Sequence, residues 1–220
     1  MPAKPAPPTA TTQQDDTYAA LRQWITVGRF LPGERLKIRD VAAALGVGLM
    51  PVRAALLRLA AEGALSHSPH RGVAVPQLSR AEFDDVLQTR LLLEGEAAER
   101  GALRLSPDDR GRLHTLFAAM DAALAAGDAK GYLDANEDFH VRLYRAAGSP
   151  LLMALIETVW LKVGPLSNRL FDDPAAAAVL NAAHGELVRA LAAGDAAAAR
   201  RAIERDLFVA GQFLRRCCDA

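Results

Sequence analysis

The feature that most constrains this chain is the run of helix stop and start signals from Ser79 to its end. Ser79 stands three residues before Glu82, a capping-box spacing ahead of Phe83. Ser106-Pro107-Asp108-Asp109, Ala126-Gly127-Asp128, Gly148-Ser149-Pro150, Asp172-Asp173-Pro174 and Ala193-Gly194-Asp195 follow. In such strings glycine closes one helix, and serine or aspartate caps the next. Six helices are predicted, at 79–103, 106–126, 128–147, 150–170, 174–193 and 195–216. Gly164-Pro165 should kink or break the fourth, because proline removes a backbone donor. Long helices joined by short links predict an antiparallel all-helical bundle.

The front of the chain has a different rhythm. Residues 1–17, with prolines at 2, 5, 7 and 8, read as a disordered tail. From Tyr18 to Gln77 the elements are short. An amphipathic helix presents Leu21, Trp24 and Ile25 and ends at Gly28. A turn at Leu31-Pro32-Gly33-Glu34 comes next. A short helix then runs from Arg39 to Leu45, and Gly46 is suited to end it. A second helix, from about Leu49 to Glu62, buries Val52, Leu56 and Leu59. Two strand-like runs, 64–68 and 72–75, flank Pro69-His70-Arg71 as a hairpin. Helix, short helix, glycine turn, helix and hairpin is the order of a winged helix-turn-helix. The predicted fold is mainly α, with that unit at 18–76 and the bundle at 79–216.

Charge seems at first to exclude a nucleic-acid partner, since 26 bases balance 26 acids. Its distribution reverses the inference. Residues 18–78 hold eight bases against three acids, a net of +5, while residues 79–220 hold 17 bases against 21 acids, a net of −4. The basic excess lies on the unit whose pattern suits DNA. Hydrophobic residues at 51% exclude a wholly disordered chain. No unbroken apolar run approaches the ~18–20 residues of a membrane span, and Met1 to Thr12 lacks the apolar stretch of a signal peptide. Adjacent Cys217 and Cys218 cannot build a disulfide framework. A cytoplasmic protein with no membrane partner is expected.

A helix-turn-helix sets the first residues of its second helix against base edges. Here these are Gly48, Leu49 and Met50, with Arg53 one turn on. Arg53 can reach a phosphate or a guanine edge, whereas Leu49 and Met50 can only touch a thymine methyl or pack. Arg35 and Arg39 lie where phosphate contact is expected. His70 and Arg71, at the hairpin tip, suit the minor groove or its backbone.

In the helical half, four ligand-capable groups fall on apolar faces. Asn136 and His140 are four apart beside Leu133, Leu143 and Tyr144. His184 accompanies Leu187 and Leu191, and Asp206 accompanies Ile203 and Ala210. Burying them unpaired is costly. Either a divalent metal (Zn²⁺, Mn²⁺ or Ni²⁺) or a hydrogen-bonded polar cluster with water satisfies them. Arg90 also points partly inward, and its partner is either Glu94, one turn on, or a carboxylate ligand. A di-iron enzyme reading fails because Glu137-x-x-His140 lacks the second such motif that this chemistry needs.

Pro32-Gly33-Glu34-Arg35-Leu36, Leu45-Gly46-Val47, Pro51-Val52-Arg53-Ala54-Ala55-Leu56-Leu57-Arg58-Leu59, Glu62-Gly63 and Arg71-Gly72 resemble the DNA-binding domain of GntR-type bacterial regulators. The second half is similar to the FCD ligand-binding domain of the FadR-like branch. The resemblance implies DNA contacts at Arg35, Arg53 and Gly72. Gly48-Leu49-Met50 replaces the Ser-Arg-Thr usual before Pro-Val-Arg, so the expected base-reading arginine is missing. It also implies a metal site, in which Asn136 stands for an aspartate, His140 and His184 match, and Asp206 replaces a histidine. The expected protein is a homodimeric transcription regulator, a repressor, that binds a double-stranded operator and senses a small organic acid. The alternative is a DNA-binding regulator whose bundle, without metal or effector, serves only dimerisation.

Overall fold

The computed structural model describes residues 12–68, 72–172, 179 and 181–219. The first helix, α1 (Gln13–Thr26), starts five residues before the expected Tyr18. This corrects the boundary of the disordered tail. Thr12 caps α1 through a capping box in which its hydroxyl accepts from the Asp15 amide and the Asp15 carboxylate accepts from the Thr12 amide. That satisfies two backbone donors which the Pro-rich composition gave no reason to expect in a helix. Thr12→Ala should lower stability by about 1 kcal/mol, read as a shift in the urea midpoint. An unchanged midpoint would mean the first turn is frayed in solution.

A two-residue strand β1 (Arg35–Leu36) follows, then α2 (Ile38–Leu45) and α3 (Leu49–Ala61). α2 and α3 cross at 114°, within the range of helix-turn-helix pairs. Gly46 ends α2 at φ 66°, a left-handed conformation that Cβ-bearing residues avoid. Strands β2 (Ser66–Ser68) and β3 (Gly72–Ala74) pair antiparallel as the expected hairpin. β1 joins the other edge of β3, with Leu36 opposite Val73, so the sheet order is β1-β3-β2. The sequence did not reveal β1, since two residues carry no periodicity.

The bundle comprises α4 (Arg80–Arg104), α5 (Pro107–Ala126), α6 (Ala129–Arg145), α7 (Pro150–Val163), α8 (Ala182–Ala193) and α9 (Ala196–Leu214). Ser79, Ser106, Asp128, Ser149 and Asp195 cap their helices with side-chain bonds to backbone amides. The predicted break at Gly164-Pro165 is a change to 3-10 helix over Gly164–Asp172. The predicted start of the fifth helix at Pro174 lies outside the described residues, within which α8 begins at Ala182. By length and composition Pro150–Asp172 is apolar enough to cross a membrane, which the search for an unbroken run missed. Here it is a core segment, contributing Met153, Ile156, Trp160, Val163 and Leu166 to the bundle interior.

Two cores result. One gathers Leu21, Ile25, Val52, Leu56 and Leu59 with Val73; the other lies among the bundle helices. They meet along α1 and α7, where Leu161 reaches into the N-terminal core. Arg22 pairs with Glu157 at 3.3 Å, Lys162 donates to the Gly63 carbonyl, and Asn168 donates to the Gly28 carbonyl.

Candidate DNA interface and buried polar cluster

The N-terminal unit carries a surface groove of about 640 Å³ whose rim brings together Arg35, Arg39, Arg53 and Gly72. All four are exposed, as a phosphate-binding face requires. Lys37 and His67 line the same groove and were missed by sequence reasoning. Lys37 precedes a helix whose role was read from its apolar face alone. His67 faces the groove only because β2 pairs with β3, opposite Val73. Gly48 is the N-cap of α3, and Leu49 and Met50 open it at 50% and 71% exposure. Exposed apolar groups at the tip of a recognition helix gain contact area only when something covers them. His70 and Arg71 lie outside the described residues.

Within the bundle, α6, α8 and α9 bring His140, His184 and Asp206 together, with ligand-capable atoms all within 4.8 Å of one another. The two imidazole Nε2 atoms are 3.1 Å apart. Asp206 reaches His140 Nε2 at 3.6 Å and His184 Nδ1 at 3.7 Å. Burial, reinforced by neighbouring His184 and the Arg90 charge, holds His140 well below its usual pKa. Burial likewise raises Asp206, against the opposing pull of His184 and Arg90. Asn136 and His140 both line an inner cavity of about 60 Å³.

Behind His140 runs a chain of hydrogen bonds that the sequence only hinted at. His140 Nδ1 meets the Tyr144 hydroxyl at 2.9 Å, and that hydroxyl donates to Glu94 Oε2 at 3.0 Å. Arg90 Nε then donates to Glu94 Oε1 at 2.6 Å. Of the two partners expected for Arg90, the internal one is present, yet Arg90 still lines the inner cavity. Tyr144 lies four residues after His140, a spacing legible in the sequence, but it had been read only as core. Trp160 and Ser167, also lining the cavity, come from α7 and the 3-10 helix and left no such signal. Thr26 and Val27 at the end of α1 complete its wall, so the N-terminal unit borders the bundle's cavity. Glu137, beside Asn136, is pushed up to about 7 by burial, and a hydrogen bond with Gln23 of α1 acts against that rise.

The arrangement provides an exposed face carrying Arg35, Lys37, Arg39 and Arg53, a buried set of nitrogen and oxygen donors, and a cavity where the bundle meets α1. Comparison with known proteins agrees. Residues 13–75 match the description "Bacterial regulatory proteins, gntR family", and residues 85–208 match the FCD domain. The chain is 31% identical to the HTH-type transcriptional regulator McbR of Escherichia coli strain K12 over 152 residues, 69% of each protein. It is 30% identical over 200 residues to a probable D-xylose utilization operon transcriptional repressor of Paenarthrobacter nicotinovorans, covering 89% of this chain and 85% of that one. Its fold is similar to the solved structure of E. coli McbR/YncC, with a TM-score of 0.87 at 26% identity, covering 94% of this chain and 99% of that one. These relatives are transcriptional regulators, not enzymes. The chain belongs to the GntR family of bacterial transcription regulators, with a helix-turn-helix DNA-binding domain followed by an FCD domain.

Proposed function

We propose that this regulator is a homodimeric repressor whose bundle, residues 79–216, senses a small organic acid beside a bound divalent metal, and whose residues 18–76 read the operator. The observation that carries the reading is the cavity itself. Arg90, Asn136 and His140 line it on the bundle side, and Thr26 and Val27 of the DNA-binding domain close it. A ligand there touches both domains, so its affinity can differ between DNA-competent and incompetent arrangements, and only such a difference shifts DNA binding. Two copies are needed to read inverted half-sites.

The donor set fits a metal. His140 and His184 offer imidazole nitrogens and Asp206 a carboxylate, with Asn136, on the wall of the adjoining cavity, a weaker amide oxygen. The spacing of the two Nε2 atoms suits ligation by one ion with bonds of about 2.0–2.1 Å. The Tyr144–Glu94–Arg90 chain on Nδ1 orients the His140 ring as outer partners of metal-bound histidines do. When bound, the metal supplies a Lewis-acid contact for an acid's oxygen. Elemental analysis of purified protein should find divalent metal bound to the wild type, and His184→Ala should lose it. Chelation should lower the melting temperature of the wild type by mass action.

A second reading has its own support. The two histidines, Tyr144, Glu94 and Arg90 already form a continuous hydrogen-bonded cluster. Such a cluster can be stable alone, leaving the bundle as a dimerisation module. Wild-type protein without metal, whose melting point is unmoved by chelator or carboxylates, would establish that alternative.

DNA binding is tested separately by a gel shift with the regulator's own upstream region. Arg53→Ala should weaken binding about equally across sequences and reduce the salt slope by about 1 if Arg53 meets a phosphate. Arg53→Ala binding like wild type at physiological salt would remove it from the interface.

A further inference from the structure

We infer that the tip of α3 reads the operator through thymine methyl groups, with Leu49 and Met50 as the side chains that determine base specificity. This rests on reading residues 18–76 as the operator-binding unit and adds to it the chemistry that the bases must present.

From Val41 to Leu57, through most of α2, the turn and the first two turns of α3, the only polar side chain is that of Arg53. The one other polar side chain of α3 is Arg58, roughly two and a half turns from Leu49. Its guanidinium is already engaged, lying 3.7 Å over the Tyr18 ring of α1 and 3.1 Å from Glu62. Gly48, the N-cap of α3, contributes no side chain. Leu49, Met50, Ala54 and Leu57 are all exposed. Leu49, Arg53 and Leu57 recur every four residues and so form one stripe along the helix. Arg53 and Leu57 line the same groove as Arg35, Lys37 and Arg39, the residues placed for phosphate contact, so the stripe lies on the side of the helix that meets DNA.

A helix end with these side chains has one class of partner in the major groove. Base edges there carry nitrogen and oxygen donors and acceptors, and a single apolar group, the C5 methyl of thymine. An apolar side chain laid on a guanine–cytosine pair strips water from guanine N7 and O6 and from the cytosine amine without replacing their bonds, which is costly. Laid on a thymine methyl, it removes apolar surface from water on both partners. Leu49 and Met50 therefore favour thymine and disfavour guanine–cytosine pairs at the positions they cover. Arg53 is left as the one group of α3 placed to donate to a guanine edge or a phosphate.

The test is selection of sites from a randomised duplex library by the full-length chain, followed by replacement of each thymine of the selected half-site with deoxyuridine. Deoxyuridine keeps the base pair and every hydrogen-bonding group and removes only the methyl. At the thymines facing Leu49 and Met50 this should weaken wild-type binding about fourfold per methyl. Both side chains lie outside the N-terminal core, so Leu49→Ala and Met50→Ala leave the fold intact. Each variant should bind thymine and deoxyuridine alike at one of those positions and keep the discrimination at the other. Wild-type affinity unchanged by deoxyuridine at every thymine of the half-site overturns the methyl contacts while leaving operator binding in place. Full discrimination that survives both alanine substitutions overturns the assignment to Leu49 and Met50. Failure of the wild type to enrich any sequence overturns the operator-binding reading and the methyl contacts together.

Discussion

Glu94→Gln should be among the most damaging single substitutions in the bundle, costing toward the lower end of the about 3–5 kcal/mol typical of a broken buried ion pair. Glu94 is 1% exposed and accepts from Arg90 through both carboxylate oxygens, and from the Tyr144 hydroxyl. The amide keeps the shape and one acceptor but loses the charge. Arg90 then remains a cation in a site where its own side chain is only 17% exposed. That residual exposure, on the cavity side, is why the low end of the range is expected. The loss should appear in chemical denaturation, and Arg90→Met in the Glu94→Gln background should recover much of it, because an apolar side chain needs no counter-charge. Glu94→Gln melting at the wild-type temperature would show that water or a bound anion already neutralises the guanidinium from the cavity.

The second large effect is expected at Gly164, where the two domains touch backbone to backbone. A Cβ at Gly164 would meet the Ile25 carbonyl oxygen inside contact distance and lie 2.6 Å from the Thr26 carbonyl oxygen, both at the end of α1. Neither atom can swing aside as a side-chain tip can. Gly28 faces it with φ 71°, and a Cβ there would lie 2.6 Å from the Gly164 carbonyl oxygen. Gly164→Ala should therefore cost about 1–3 kcal/mol in overpacking, relieved by α1 moving away from α7. Because α1 belongs to the DNA-binding domain, its displacement should also change operator affinity in a gel shift. Gly111→Ala is the control, since nothing lies within 4 Å of a Cβ there and its backbone is helical. If both variants melt and bind DNA alike, the interdomain contact is loose in solution and carries no coupling.

How much was legible from residues depends on the range of the forces involved. Caps at Ser79, Ser106, Asp128 and Asp195 are local bonds between residues three apart, so the bundle helices could be bounded from sequence to within a residue or two at most ends. The helix-turn-helix was legible for the same reason, since Gly46 and the apolar spacings around it are local. Thr12 escaped because the prolines before it drew attention from its capping partner Asp15. The ligand cluster was half legible. Facial spacing placed Asn136, His140, His184 and Asp206 inward on three helices, but said nothing of which nitrogen faced which oxygen.

Sequence alone determined the order of elements, the separation of a basic domain from an acidic one, and the polar groups that helix periodicity turns toward the interior. These follow from interactions spanning one or two turns and from the burial of apolar stripes. Tertiary structure alone decided that Tyr144, Glu94 and Arg90 support His140 in one chain of bonds. It also decided that His67 joins the groove lined by Arg35, Arg39 and Arg53, and that Thr26 and Val27 close a cavity built by the bundle. Those facts depend on which helices pack side by side and on the close approach that Gly28 and Gly164 permit. Residues far apart in the chain acquire such neighbours only when two apolar surfaces choose each other.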